Sequence, residues 1–189
     1  MGQATPHSPA LLLLAAFSRY DEALKWAKQR AEAAWGPIEL ESPAFDFTET
    51  EYYAPTMGSG LKKGFFAFQR PFDPAELVDV KLLTNTWEEE YAGMKKHPEP
   101  RGLNLDPGYI TLGKLILAST KDFAHRIYLN RGIYAEVTLH YKHHCWQHHD
   151  CTFADYRRDD YQRFFTLCRE TLHQRIRKQL DKSTQKDEQ

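Results

Sequence analysis

Between Asn104 and Leu139 the chain gathers ionisable side chains of both signs: Asp106, Lys114, Lys121, Asp122, His125, Arg126 and Glu136, with Tyr128 and Tyr134 among them. An arginine offers a planar fork to a phosphate or carboxylate and a lysine a point charge, so Lys121 and Arg126 on one surface would hold a small anion. Glu136 and His125 are candidates for base and acid if burial moves them toward neutrality. The competing reading is a structural Arg126–Glu136 cross-strand pair with solvated neighbours, contributing about 0.2–1 kcal/mol. The residues name no reaction and no cofactor.

A second group holds seven potential metal donors in twelve positions: His140, His143, His144, Cys145, His148, His149 and Cys151. Zinc needs three or four N or S donors converging tetrahedrally, and His143, Cys145, His148 and Cys151 are the candidate set. Their spacing matches no standard finger, and a solvated hairpin tip is the alternative. Nucleophilic catalysis through Ser or Cys has no support. There is no Gly-x-Ser-x-Gly elbow, and Cys168 falls on an apolar helical stripe. Gly58-Ser59-Gly60-Leu61-Lys62-Lys63-Gly64 has the glycines and lysines of a phosphate-cradling loop at the wrong spacing. Asp106-Pro107-Gly108-Tyr109 reads as a type II turn with Asp106 capping it. Tyr52, Tyr53 and Trp87 read as packing residues or as platforms for a ring. Lys62 and Lys63 read as a solvated strand edge that could add positive potential to an anion pocket.

The elements that must position these groups follow from periodicity. Leu11 to Phe17 is continuously apolar, as in a strand covered on both faces. A helix with Leu24, Ala27, Ala31 and Ala34 at three- and four-residue spacing follows, and Gly36-Pro37 stops it. Ile38 to Phe47 and Leu61 to Phe68 read as strands. Asp73-Pro74-Ala75-Glu76 resembles a capping box, opening a helix with Leu77, Val80, Thr84 and Trp87 on its apolar stripe. A last helix, capped by Asp159 or Asp160, carries Tyr161, Phe164, Phe165, Cys168, Leu172 and Ile176.

The strands around residue 131 have an arguable register. A three-residue loop Asn130-Arg131-Gly132, with Gly132 left-handed, sets Leu129 against Ile133 and Arg126 against Glu136. Ile127, Leu129, Ile133, Ala135, Val137 and Leu139 then share one face, and Arg126, Tyr128, Tyr134, Glu136, Thr138 and His140 the other.

The order β-α-β-β-α-β predicts an α+β fold: a mainly antiparallel sheet with helices packed on one face and a ferredoxin-like core. Extra hairpin strands and a C-terminal helix complete it. One domain over residues 9–180 is expected, with disordered ends at 1–8 and 181–189. The 25 Lys and Arg against 26 Asp and Glu leave no basic excess for nucleic-acid binding. The run Ala10 to Phe17 is too short to span a bilayer, so no membrane partner is expected. Three cysteines in a chain of this size fit a reducing, cytoplasmic setting.

Thr84-Asn85-Thr86-Trp87-Glu88, Asn104-Leu105-Asp106-Pro107-Gly108-Tyr109, Thr120-Lys121-Asp122, His125-Arg126-Ile127-Tyr128-Leu129 and Gly132 to Leu139 together resemble the DUF4416 family of uncharacterised bacterial proteins. Tyr52-Tyr53, Met57-Gly58 and Asp155-Tyr156-Arg157 extend the resemblance over nearly the whole chain. Cys151-Thr152-Phe153-Ala154 departs from the family's Trp-Thr-Tyr-Pro. The resemblance implies no established activity. The functional expectation is therefore a domain binding a small anionic ligand, a nucleotide or phosphorylated metabolite, on its polar sheet face. The alternatives are a non-catalytic interaction module or homo-oligomer, and a metal protein using residues 140–151.

Overall fold

Strand β1 (Leu11–Ser18) is buried along its whole length: Leu12, Leu14 and Ala16 enter one hydrophobic cluster, Leu11, Leu13 and Ala15 another on the opposite face. The computed structural model describes residues 2–187, with side chains to residue 181. Helix α1 (Asp21–Trp35) lays Ala23, Ala27 and Ala31 on the first face and ends where Gly36 takes a φ of 87°. The strand expected over residues 38–47 is broken into β2 (Ile38–Glu41) and β3 (Phe45–Asp46). The break falls at Ser42, whose hydroxyl accepts the Phe65 amide at 2.9 Å. A short helix, α2 (Ala54–Met57), sits in the following loop, before β4 (Lys62–Pro71).

Asp73 caps a turn of 3-10 helix over Pro74–Glu76 by accepting the Ala75 amide at 2.9 Å, and α3 (Leu77–Gly93) buries the anticipated Leu77, Val80, Thr84 and Trp87. Strands β5 (Asn104–Ile110), β6 (Lys114–Ser119), β7 (Ile127–Asn130), β8 (Ile133–Lys142) and β9 (Cys145–His148) follow. A second 3-10 turn (Ala154–Arg157) leads into α4 (Asp159–Asp187). The sheet runs β2-β4-β1-β5-β6-β8-β7, with β3 added on β4 and β9 on β8, and adjacent strands are antiparallel.

The expectation of helices on one face needs correction. Helices α1 and α3 cover one face, while α4 covers the other with Tyr161, Phe164, Phe165, Cys168 and Leu172. Burial pushes the Cys168 thiol well above its ordinary range, as expected of an inert core cysteine. Residues 181–187, read as a disordered tail, continue α4; residues 188–189 lie outside the described residues. Residues 2–8 have no regular structure, and Met1 lies outside the described residues. No helix among the described residues is long and apolar enough to cross a membrane.

Two of the anticipated β7–β8 pairs form, Ile127 opposite Ala135 and Tyr128 opposite Tyr134, but Asn130 rather than Leu129 stands opposite Ile133. Arg131 (φ 47°) and Gly132 (φ 77°) form the turn, and a shift between Tyr128 and Asn130 absorbs the extra residue. The anticipated common apolar face does not exist. An irregularity sets Ile116 against Val137 but Leu115 against Leu139, which reverses the phase of β8. Leu139 therefore packs on the α4 side and Ile133 on the α1–α3 side, while Ile127, Leu129 and Val137 are exposed.

Candidate functional site

Strand β5 pairs with β1 from Asn104 to Ile110, but with β6 only from Gly108 to Ile110. Pro107 stands one residue outside that second ladder, where its missing N–H costs no bond. Beyond it the two strands diverge, and a cavity of about 610 Å³ occupies the fork. The Asp106-Pro107-Gly108-Tyr109 segment is thus not a turn but the branch point of the sheet. Glycine is required there because β6 comes so close: a Cβ on residue 108 would lie 2.1 Å from the Ile116 carbonyl oxygen.

Where the ladder stops, side chains from α3 take over its hydrogen bonds. Lys81 Nζ donates to the Leu105 carbonyl at 2.8 Å, and Glu88 Oε1 accepts the Leu105 amide at 2.7 Å. Both backbone groups would otherwise be unpaired in a buried position. Arg101 donates to Glu88 at 2.9 Å and to Asn104 Oδ1 at 2.6 Å, and Asn104 Nδ2 donates to Asp106 Oδ2 at 3.0 Å. Burial pushes the Glu88 carboxyl upward, against the opposing pull of Lys81.

The β6–β8 wall carries a buried ion pair. Arg126 Nε donates to Glu136 Oε2 at 2.8 Å, and its Nη1 donates to Ser119 Oγ at 2.7 Å and to the Lys121 carbonyl at 2.9 Å. His125 Nε2 lies 3.2 Å from the same Glu136 oxygen, and Thr138 Oγ1 donates to the other at 2.9 Å. Both oxygens of Glu136 are engaged, so its evident work is to fix the Arg126 fork. Arg126→Ala should cost roughly 1–3 kcal/mol in urea unfolding, because Glu136 keeps two partners.

The floor is made by Lys63, whose Nζ donates to Asp155 Oδ2 at 2.7 Å beneath the rings of Phe17, Phe47, Phe65 and Tyr156. Both side chains are about 95% buried. Lys63 is therefore not the solvated edge residue that its sequence position implied. At the mouth, Lys121 Nζ donates to the Tyr52 hydroxyl at 2.7 Å, and the ammonium draws that phenol below its ordinary range. Lys121→Met should return the Tyr52 titration upward, a change readable by NMR of labelled tyrosine against a Tyr52→Phe reference.

Each carboxylate that lines the cavity has a cationic partner. Asp155, Asp106, Glu88 and Glu136 face Lys63, Lys81, Arg101 and Arg126 respectively, and Glu49 pairs with Arg158 outside the cavity. Among the described lining residues, Lys121 is the cation without a carboxylate partner.

A family model described as "Domain of unknown function (DUF4416)" matches residues 8–172. The chain belongs to the DUF4416 family. No curated protein and no solved structure matches it. The matched span includes every residue that lines the cavity of this DUF4416 protein.

Of the residues predicted for the site, Asp106, Lys121, Arg126 and Glu136 line the cavity, and His125 lies against Glu136. Lys114 does not, because it starts β6 at the far end, opposite His140. Tyr128 and Tyr134 pack on each other at the sheet edge with ring centres 5.3 Å apart, and Asp122 is exposed outside the lining. The His/Cys segment forms the β8–β9 hairpin, with His143 and His144 as its left-handed turn. Cys145 and His148 differ in strand parity and so occupy opposite faces of β9. Among the described residues no three His, Cys, Asp or Glu side chains are arranged to hold a metal ion, so the set His143, Cys145, His148 and Cys151 does not converge.

Sequence reasoning missed Lys81, Asn85, Glu88, Arg101, Asn104 and Asp155 as cavity residues, and gave Lys63 only as a strand-edge charge that could add to the pocket's potential. One signal was present. Lys81, Asn85 and Glu88 recur at i, i+4 and i+7, a polar stripe beside the apolar one on α3.

Proposed function

We propose that this DUF4416 protein binds a small anionic ligand, a nucleotide or phosphorylated metabolite, in the fork between β5 and β6. The observation that carries the reading is Lys121, the cavity cation left without a carboxylate, beside the preset fork of Arg126. A volume of about 610 Å³ lies within the range of small-molecule pockets, and Tyr53, Phe123 and Phe153 give a ring or apolar body something to pack against. A thermal-shift screen of nucleotides and sugar phosphates should find a ligand that raises the midpoint by roughly 5–10 °C at a hundredfold excess over its Kd. Arg126→Ala, once shown folded by circular dichroism, should abolish the shift. A broad panel without a hit would overturn the reading.

The same reading takes the core as ferredoxin-like. Its support is the strand order β2-β4-β1-β5, antiparallel throughout, with α1 and α3 both on one face. Three free thiols accord with a cytoplasmic setting in a bacterial host.

A second reading, self-association, is favoured by β7. It ends the sheet and exposes Ile127 (70%), Tyr128 (57%) and Leu129 (41%), an unprotected apolar edge. Light scattering after size exclusion should then show a dimer that Ile127→Lys converts to monomer; a monomeric wild-type protein removes this reading.

A further inference from the structure

Lys63 is the one floor group whose chemistry exceeds what anion binding asks of it. Its ammonium has three N–H donors, and the described residues supply a single acceptor, Asp155 Oδ2 at 2.7 Å. Four ring faces lie 4.5 to 5.8 Å from Nζ; they favour the positive charge but accept no conventional hydrogen bond. Two of the three hydrogens are therefore without an acceptor, in a side chain about 95% buried that still lines the cavity. The buried Tyr156 hydroxyl has no hydrogen-bond partner among the described residues either. A buried pair kept only for stability would normally be closed by further hydrogen bonds.

We propose that Lys63 forms an iminium with a carbonyl-bearing anion, a 2-oxo acid or a phosphorylated aldehyde or ketone, bound in the fork. The proposal rests on the anion-binding reading above. Asp155 takes one proton from the ammonium, and the freed Nζ lone pair adds to the carbonyl carbon. Asp155 then passes the proton to the carbonyl oxygen and removes a second one from nitrogen. Delivered to the carbinolamine hydroxyl, this second proton releases water as C=N forms. Ammonium plus carbonyl gives iminium plus water, with no oxidant or reductant consumed. The balance suits this floor. Both hydrogens lost as water leave through Asp155, the one N–H that remains on the iminium then donates to that carboxylate, and the rings and carboxylate hold the same unit charge before and after. Lys121 and Arg126 would hold the ligand's anionic end while its carbonyl reaches the floor.

The test is reductive trapping on the full chain. Wild-type protein is treated with sodium borohydride in the presence of pyruvate, 2-oxoglutarate or dihydroxyacetone phosphate in turn, and adducts are read by intact mass and peptide mapping. The proposal predicts one equivalent of reduced adduct with at least one probe, on the peptide carrying Lys63. It also predicts loss of that adduct in Lys63→Arg and at least tenfold slower trapping in Asp155→Asn. Mapping the wild-type protein decides the matter even if those variants do not fold. No adduct with any probe, or adducts spread over exposed lysines such as Lys114 and Lys142, would overturn it. Anion binding fails separately: phosphate-dependent thermal stabilisation that persists without trapping leaves the pocket standing and removes only the covalent step.

Discussion

Asp155→Ala should lower the unfolding free energy by about 3–5 kcal/mol, because it leaves the Lys63 ammonium buried without a counter-charge. Lys63 Nζ lies within 4.5 to 5.8 Å of the ring centres of Phe17, Phe47, Phe65 and Tyr156, and Asp155 is its hydrogen-bond partner. Urea denaturation measures the loss, with an unchanged m-value showing that the transition itself is the same. The double variant Lys63→Met, Asp155→Ala should recover much of it, since removing both charges also removes the desolvation penalty. A loss below about 1 kcal/mol in the single variant would mean that the pair is hydrated and that the floor is not dry.

Gly108→Ala should be at least as damaging. The added methyl would sit 2.1 Å from the Ile116 carbonyl oxygen and 2.9 Å from Leu117 Cδ2. A flexible side chain could move aside, but the nearer atom is backbone in the β5–β6 ladder, so relief requires breaking the pairs that close the fork. A destabilisation above about 4 kcal/mol, or failure to accumulate folded protein, is the expected outcome. A Gly108→Ala protein with wild-type stability would show that β5 and β6 do not approach so closely.

These two positions also show what the sequence could and could not disclose. Continuous apolarity placed β1 in the middle of the sheet, and three- and four-residue spacing found the buried stripes of α3 and α4, because burial leaves a periodic trace. The Arg126–Glu136 pairing was legible from strand parity, although the turn beside it is not the three-residue loop expected. Pro107-Gly108, by contrast, carries the composition of a turn and serves as a branch point, since a missing N–H and a missing Cβ suit either use. Lys63 looked solvated because a lysine in a strand usually is. Its burial depends on Asp155, 92 residues away, and distant pairing leaves no local pattern. The apolar face expected of β8 failed for a related reason: one irregularity opposite Leu115 and Ile116 reverses every later residue.

The fork also explains why the cavity is lined by so many charges without being strongly charged itself. A sheet that splits must satisfy the backbone groups it exposes, and Lys81 and Glu88 do so for Leu105. Their charges are in turn balanced by Asp106 and Arg101. Subtracting these structural pairs leaves Lys121 as the group available to a ligand.

Titration calorimetry on wild type, Lys121→Met and Lys114→Met, using the best anion from the thermal screen, tests this most directly. Both lysines are surface-accessible and equal in charge, but only Lys121 lines the cavity. Binding weakened tenfold or more by Lys121→Met and unchanged by Lys114→Met is the result predicted; equal affinity in all three proteins would contradict a site in the fork.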